Sequence, residues 1–364
     1  GRMVSALGDE NETFQALRQH YKRNQSTNTK LVLPFSSERK FSGVVFEGEG
    51  TYLMGAYQFI FPQADPAVLE KIAEYEGVKK EEIVCGNGAA EVIFTLCRAV
   101  KPKKALLPAP TFAEYGQALE STDCKLEYYM LTENEGFVLG ESYLDILHKG
   151  LDMAFLCNPN NPTGMLIPHR LLKRILEKCR KLGILLVVDE CFLDFVKEPE
   201  EYSLKRSLSG FNNLFILKAF TKRYAMAGVR LGYGLCSNRK LMEKMELHVQ
   251  PWNVSTMAQA AGIQALTETK YVEEGRQLVF RESQWLKNEM TRIGYKVFPS
   301  EANYIFFKGP EELYEFCLRK RILIRDCSNY PGLTKGFYRI AVKRHEENVK
   351  LIQVLEGGIL WQKQ

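Results

Sequence analysis

Two periodicities of hydrophobic residues alternate along the chain from about Asp65 onward. Short apolar runs predict strands, and stretches with apolar residues three or four positions apart predict the helices between them. The run from Ile184 to Val188 is apolar without alternation, which is typical of a strand covered on both faces. The predicted strands are residues 104–108, 126–131, 151–157, 184–189, 214–217 and 231–236, and the predicted helices are residues 65–75, 89–100, 112–119 and 169–181.

The order of these elements predicts the fold class. Alternating strands and helices build a mostly parallel sheet, which binds ligands beyond the carboxyl ends of its strands. After about Val272 the order changes to a long helix, then strands near residues 296–299, 303–308, 321–325 and 337–342, with helices at 311–319 and 346–355. We therefore predict an α/β protein with an atypical N-terminal segment (1–60), a large domain (61–271) and a small α+β C-terminal domain (272–364).

Composition and charge exclude several classes of protein. The 364 residues are 45% hydrophobic and 26% charged, and a net charge of +5 without a basic block gives no reason to expect a nucleic-acid partner. No apolar run reaches the length that crosses a membrane. The nine cysteines and five histidines show no metal-ligand spacing, so we predict no metal site. The cysteines lie mostly in apolar runs, which predicts reduced core residues of a cytoplasmic protein.

A Gly-Asn-Gly turn at residues 86–88 leads into a predicted helix. Backbone N–H groups at a helix start, with the small residues Gly88, Ala89 and Ala90 permitting close approach, form a cradle suited to a phosphate. The alternative interpretation is an ordinary turn, and this motif alone does not decide between the two.

Asn161 lies in the string Asn-Pro-Asn-Asn-Pro-Thr-Gly at residues 158–164, directly after a predicted strand. The prolines restrict the backbone, so the Asn161 amide is held where it can donate a hydrogen bond, for instance to a phenolic oxygen. Loops of this composition are common, whereas the full string is specific.

Asp189 ends the predicted buried strand. Burying an unpaired carboxylate is costly, and the N–H of a protonated pyridine ring would be a suitable partner. The alternative role for this residue is the N-cap of a following helix.

Lys222 follows Thr221 and precedes Arg230 by eight positions. A lysine amine becomes nucleophilic when burial or neighbouring cations favour its neutral form. The Arg230 guanidinium and the Thr221 hydroxyl are donors suited to a phosphate. Most lysines are solvated, so an ordinary surface residue is the alternative.

Two arginines and one aromatic residue complete the set of candidates. Arg325 and Arg339 fall in the predicted small domain, where guanidinium groups can bind a substrate carboxylate and a substrate phosphate. Phe112, which follows a predicted strand, can lie over a flat ring or serve as a core residue.

From about Asp65 to Leu355 the chain resembles the fold-type I pyridoxal-phosphate enzymes of the aspartate aminotransferase superfamily, in the branch that contains histidinol-phosphate aminotransferases. Within that branch it is most similar to the L-threonine-O-3-phosphate decarboxylases of cobalamin biosynthesis. The longest string that supports this is Arg-Ile-Leu-Ile-Arg-Asp-Cys-Ser-Asn-Tyr-Pro-Gly-Leu at residues 321–333, and Phe192 stands where the aminotransferases usually have a tyrosine. The other strings are at residues 110–116, 155–164, 221–225, 250–254 and 302–304.

This resemblance implies a pyridoxal phosphate cofactor and a role for each candidate. It implies that Lys222 holds the cofactor as a Schiff base and that Asp189 contacts the pyridine nitrogen, which makes these two the catalytic residues. Asn161 would donate to the phenolic oxygen, and Phe112 would stack on the ring. The cofactor phosphate would be bound by Gly88, Ala89, Ala90, Thr221 and Arg230.

The implied substrate is a small phosphorylated amino acid. Arg339 would bind its carboxylate and Arg325 its phosphate. The implied reaction converts L-threonine O-3-phosphate to aminopropanol phosphate, and by analogy the protein would be a homodimer.

Three departures from the family pattern stand out. Ala219 replaces a serine or threonine that often binds the cofactor phosphate, and Phe61 replaces a tyrosine that reaches the cofactor of the neighbouring subunit. Residues 1–60 lack the N-terminal arm of the family. Instead, residues 33–44 and 50–56 resemble a fragment of a P-type ATPase nucleotide-binding domain, without the phosphorylated Asp-Lys-Thr-Gly motif, so we predict no ATPase activity.

Three functions therefore remain open from the sequence. The first is decarboxylation of threonine phosphate, and the second is an aminotransferase of the histidinol-phosphate type. The third is a nucleotide- or partner-binding module in residues 1–60, fused to a catalytically weakened enzyme scaffold.

Overall fold

The structure, a computed structural model, describes residues 3, 6, 7, 15–17, 19, 28–36, 41–48, 50–55 and 67–362. The chain forms two compact units, Gly1–Glu70 and Lys71–Gln364. The domain boundaries at residues 60 and 271 remain predictions.

The first unit contains a three-stranded antiparallel sheet, in the order β1 (Thr29–Leu33), β2 (Phe41–Phe46) and β3 (Gly50–Gly55). Val44 and Phe46 are buried in a small apolar cluster with Leu7. The hydrophobic pattern of the sequence does not predict these strands. The resemblance to an ATPase fragment stays a prediction, and residues 37–40 and 56 of that fragment lie outside the described residues. Residues 61–63, where Phe61 departs from the family pattern, also lie outside them.

The second unit is built on a seven-stranded sheet. Its strands are β4 (Ile83–Asn87), β5 (Lys104–Ala109), β6 (Lys125–Met130), β7 (Met153–Cys157), β8 (Leu185–Asp189), β9 (Leu214–Ala219) and β10 (Leu231–Leu235). Their order across the sheet is β4-β10-β9-β8-β7-β5-β6. Strands β5 to β9 run parallel, and β10 is antiparallel to both of its neighbours. The prediction of a mostly parallel sheet is confirmed.

Helices and short turns connect the strands. The α-helices are α1 (Ala67–Glu76), α2 (Gly88–Val100), α3 (Ala113–Glu120), α4 (Tyr143–Ile146), α5 (His169–Leu182), α6 (Phe220–Arg223), α7 (Arg239–Glu246), α8 (Thr256–Ala265), α9 (Thr269–Arg292), α10 (Leu313–Arg319) and α11 (His345–Gln362). Short 3-10 turns lie at Lys80–Glu82, Leu193–Phe195, Pro199–Glu201 and Lys205–Gly210.

Helix α5 shows why the sequence pattern works. Leu172, Ile175, Leu176 and Cys179 recur at helical spacing and are completely buried. The helix ends at Gly183, which adopts the left-handed conformation that glycine allows without steric cost.

The C-terminal part contains a four-stranded antiparallel sheet, in the order β11 (Lys296–Val297), β12 (Tyr304–Lys308), β14 (Phe337–Ala341) and β13 (Arg325–Asp326). It packs against α9 and α11 in one apolar cluster. The predicted strand at residues 321–325 is wrong, because strand pairing begins only at Arg325. Arg321 lies in a turn with a positive φ of 61°, and Leu323 is 74% exposed, so the apolar run at residues 322–324 does not pair as a strand.

The described residues agree with the expectation that the cysteines are reduced core residues. All nine cysteines are free thiols, and eight of them are buried. Among the residues described, none of the helices is both long and apolar enough to cross a bilayer. In the same part of the chain, no cluster of three or more potential metal ligands occurs.

Candidate active site

The carboxyl ends of the central parallel strands lie level with one another. Cys157, the last residue of β7, pairs with Asp189, the last residue of β8. Asp189 in turn pairs with Leu217 of β9. The loop after Cys157 and the helix after β9 therefore meet Asp189 at one edge of the sheet, and these segments carry Asn161 and Lys222.

A cavity of about 550 Å³ opens at this edge. The predicted site residues that line it are Ala89, Ala90, Phe112, Asn161, Asp189, Thr221, Lys222, Arg230, Arg325 and Arg339. The remaining residue, Gly88, lies against the guanidinium of Arg230. The structure therefore gathers all of the predicted site residues in one place.

Asp189 lies in this cavity and is only 5% exposed. Its Oδ2 accepts a hydrogen bond from the Tyr115 hydroxyl at 2.5 Å, and its Oδ1 accepts one from the backbone N–H of Cys191 at 2.8 Å. Burial raises the pKa of Asp189, and the bonds from Cys191 and Tyr115 offset only part of that rise. Both donors are uncharged, so a cationic N–H in the cavity would stabilise the ionised carboxylate.

Asn161 is buried, and its Oδ1 accepts a hydrogen bond from Nη1 of Arg339. With that oxygen engaged, the NH₂ group is the end of the amide that can donate to a bound ligand. The Arg339 guanidinium also lies 5.0 Å from the ring centroid of Tyr304, whose hydroxyl donates to the Asn160 carbonyl at 2.8 Å. Arg339 is thereby held between the loop of Asn161 and an aromatic face.

Lys222 belongs to the short helix that follows β9 and is exposed within the cavity. Its Nζ lies 5.6 Å from the ring centroid of Phe192. Phe192 packs edge-on against Tyr304, with ring centroids 5.1 Å apart. The amine is therefore accessible to a ligand and faces the same space as Asp189 and Asn161.

A second cavity of about 750 Å³ adjoins the first. Lys222, Phe192, Arg325 and Arg339 line both of them, so the amine and the two arginines lie where the two spaces meet.

Strand pairing places Arg230 beside the start of helix α2. Leu231 pairs with Asn87 because β10 runs antiparallel to β4, and this brings Arg230 next to Gly88. A Cβ atom at Gly88 would collide with the Arg230 guanidinium, and Gly88 also has a φ of +79°. Glycine is needed here for both reasons.

The first turn of helix α2 supplies the remaining donors. The N–H groups at the start of a helix lack partners within the helix, and the Asn87 side chain makes no capping hydrogen bond to them. Ala89 and Ala90 line the cavity together with Thr221 and Arg230. Ala219 lies there too, so the hydroxyl that the family often has at this position is missing.

Arg325 and Arg339 are direct Cα partners in the antiparallel pair of β13 and β14. Residues that face each other in this way project from the same side of a sheet, and both of these line the cavity. Two cations placed opposite each other repel unless anions lie between or beside them.

Sequence reasoning missed Tyr115 and Cys191 as site residues. Tyr115 lies three positions after Phe112, and the two rings contact each other edge-on at 5.4 Å. The i, i+3 spacing at the start of helix α3 could have placed Tyr115 next to the predicted ring-stacking residue. The Cys191 contribution comes from its backbone N–H and leaves no signal in the side-chain sequence.

The fold and the site together define an enzyme class, and the chain belongs to the aminotransferase class I and II family, which matches residues 49–355. Threonine-phosphate decarboxylase of Salmonella typhimurium is 36% identical over 309 residues, covering 82% of this chain and 82% of that protein. Histidinol-phosphate aminotransferase of Methanococcus aeolicus is 29% identical over 303 residues, covering 80% of each. The crystal structure of histidinol-phosphate aminotransferase from Clostridium acetobutylicum superposes with a TM-score of 0.75 at 30% identity, covering 80% of this chain and 87% of that chain.

Enzymes of this family depend on pyridoxal phosphate, and the cavity fits that cofactor. The buried carboxylate of Asp189 meets only uncharged donors, as a site for a protonated ring nitrogen requires. The guanidinium of Arg230 and the start of helix α2 line the same cavity and are donors of the kind that a phosphate requires.

Proposed function

We propose that this chain decarboxylates a phosphorylated amino acid, L-threonine O-3-phosphate, to aminopropanol phosphate. The observation that supports this best is the cross-strand pair of Arg325 and Arg339 in the cavity that contains Lys222. A substrate with two anionic groups, a carboxylate and a phosphate, would neutralise both guanidinium groups at once. The similarity to the Salmonella typhimurium enzyme named threonine-phosphate decarboxylase supports the same choice.

In this proposal the family's cofactor is held by the residues described above. Lys222 would bond it covalently, Asp189 would accept from its ring nitrogen, Asn161 would donate to its phenolic oxygen and Phe112 would cover its ring. Its phosphate would be bound by Gly88, Ala89, Ala90, Thr221 and Arg230. When bound, pyridoxal phosphate supplies an electron sink for the carbanion that forms at Cα.

The chain's own residues then orient the substrate and move the proton. Arg339 would hold the substrate carboxylate and Arg325 the substrate phosphate, and together they would orient the bond between Cα and the carboxylate for cleavage. That bond breaks and carbon dioxide leaves with no net change of oxidation state. The Lys222 amine, freed when the substrate amine takes its place on the cofactor, would in its protonated form donate a proton to Cα as general acid.

An aminotransferase of the histidinol-phosphate type is the second candidate. The Methanococcus aeolicus relative and the Clostridium acetobutylicum structure that carry this name favour it, at 29% and 30% identity. Both reactions use the same catalytic residues, and they differ in which bond at Cα stands perpendicular to the ring. The position of Arg339 relative to Lys222 therefore decides between them.

A product assay separates the two candidates. The full chain, loaded with pyridoxal phosphate, is incubated with L-threonine O-3-phosphate. Carbon dioxide together with aminopropanol phosphate is the expected result. A keto product that requires 2-oxoglutarate would instead identify an aminotransferase, and the absence of both products would reject both functions.

Three further expectations belong to the same proposal. They are a homodimer, a location in the cytoplasm and a division of the family region into a large domain (61–271) and a small domain (272–364). Sedimentation of the loaded protein tests the first of these directly.

A further inference from the structure

Arg325 is held by a residue four positions further along the chain. Its Nη2 donates a hydrogen bond to Oδ1 of Asn329 at 3.0 Å. Both side chains line the cavity of Asp189 and Lys222. The bond spans the turn that connects β13 to the rest of the C-terminal sheet, so Asn329 limits the directions in which the guanidinium can point.

Tyr330 provides a second support for the same guanidinium. The Arg325 Cζ lies 5.5 Å from the ring centroid of Tyr330, within the range of a cation–π contact. The Tyr330 side chain is only 7% exposed, so the ring cannot move away freely. Its backbone is fixed as well, because its N–H donates to the Cys327 carbonyl at 3.1 Å and its carbonyl accepts from Leu333 at 3.0 Å.

These supports matter because Arg325 is otherwise free to leave the site. It is exposed to solvent, and it directly faces Arg339 across the strand pair. Repulsion between the two cations would favour a conformation in which Arg325 turns outward. The amide oxygen of Asn329 and the ring of Tyr330 oppose this movement and keep the guanidinium in the cavity before a ligand arrives, which reduces the entropy lost on binding.

We propose that Asn329 and Tyr330 are positioning residues that make the site selective for phosphorylated over unphosphorylated amino acids. They act through Arg325, which each of them contacts directly. This inference rests on the proposed function, since Arg325 is there the phosphate-binding residue.

The test compares two substrates in three variants. Asn329→Ala removes the hydrogen bond, Tyr330→Leu removes the aromatic face, and Tyr330→Phe keeps that face. In the first two variants the KM for L-threonine O-3-phosphate should rise about tenfold, as expected when a hydrogen bond or a cation–π contact to a charged group is lost. Their kcat and their kcat/KM for L-threonine should stay close to those of the unaltered chain, whereas Tyr330→Phe should restore the low KM.

Ser328→Ala, in the same turn but outside the cavity lining, is the matched control and should leave both substrates unaffected. Equal losses for the two substrates would show a merely structural role and overturn the inference, as would an unchanged KM. Calorimetric binding of L-threonine O-3-phosphate to the same cofactor-loaded variants distinguishes this failure from failure of the proposed function. If no product forms, a selective loss of affinity in Asn329→Ala and Tyr330→Leu still supports the inference, and unaltered affinity overturns it.

Discussion

Arg325 and Arg339 face each other as Cα partners across two short antiparallel strands. Arg339 donates to Asn161, and Arg325 donates to Asn329, so each guanidinium has its own neutral partner within the same cavity. Neither partner cancels a positive charge. The site is thus prepared for a ligand that brings two negative groups.

Replacing either arginine should separate carboxylate binding from phosphate binding. Arg325→Met should raise the KM for L-threonine O-3-phosphate roughly 10- to 100-fold, because a hydrogen-bonded ion pair is lost, with little effect on unphosphorylated L-threonine. Arg339→Met should weaken the binding of both substrates and raise both KM values. Steady-state kinetics with the two amino acids check this, and identical selectivity in the two variants would refute the assignment of the arginines.

Asp189→Asn should lower kcat roughly 10²-fold or more, because it removes a buried charge from the reacting site while keeping the shape of the side chain. Tyr115→Phe removes only the hydroxyl that donates to Asp189 and should lower kcat about tenfold. Both variants should keep the visible absorption band of the bound cofactor. Full activity of Asp189→Asn in single-turnover measurements would exclude the proposed role of this carboxylate.

Glu76 should stabilise the fold in a pH-dependent manner. Its carboxylate is 5% exposed and accepts hydrogen bonds from Tyr233 at 2.5 Å and from Lys205 at 3.0 Å. Burial raises the pKa of Glu76, but the charges of Lys218 and Lys205 more than offset this, so the pKa is lowered. Because the pKa is lower in the folded state, the stabilisation is present above the unfolded pKa and is lost as the pH falls through the folded one.

Glu76→Gln should therefore reduce the free energy of unfolding at neutral pH by about 3 kcal/mol, since two lysines lose a buried partner. The loss should shrink below about pH 4, where the unfolded carboxyl is protonated. Urea denaturation at neutral pH and below about pH 4 measures this loss of unfolding free energy. Glu74→Gln is the matched control on the same helix, because Glu74 forms an exposed pair with Lys71 and should matter little. A loss of the same size at both pH values would contradict the proposed charge network.

Much of the fold could be predicted because its main signals are local. The uninterrupted apolar run before Asp189 indicates a doubly covered strand, and β8 is Leu185–Asp189. Helix α8 (Thr256–Ala265) could not be predicted, because its alanine-rich sequence shows no apolar face. The antiparallel direction of β10 depends on how the chain returns between β4 and β9, and no local pattern encodes that.

The candidate site was predictable where a side chain stands in a specific string, as Asn161, Asp189 and Lys222 do. The pairing of Arg325 with Arg339 was not, because it depends on the register that the irregular loop between two consecutive strands imposes on them. The run before Arg325 is apolar like a buried strand, yet Arg321 has a left-handed backbone and residues 322–324 form no strand. Backbone conformation and long-range register are the two features that residue patterns report least directly.

The most direct test of the account identifies the residue that bonds the cofactor. The full chain is loaded with pyridoxal phosphate and reduced with borohydride, which fixes the cofactor to its amine, and the peptides are then mapped by mass. We expect the mass of the reduced cofactor on the peptide that contains Lys222. This label should be lost in Lys222→Ala and should be normal in Lys240→Ala. Label on a different lysine, or no label on a correctly folded chain, would contradict it.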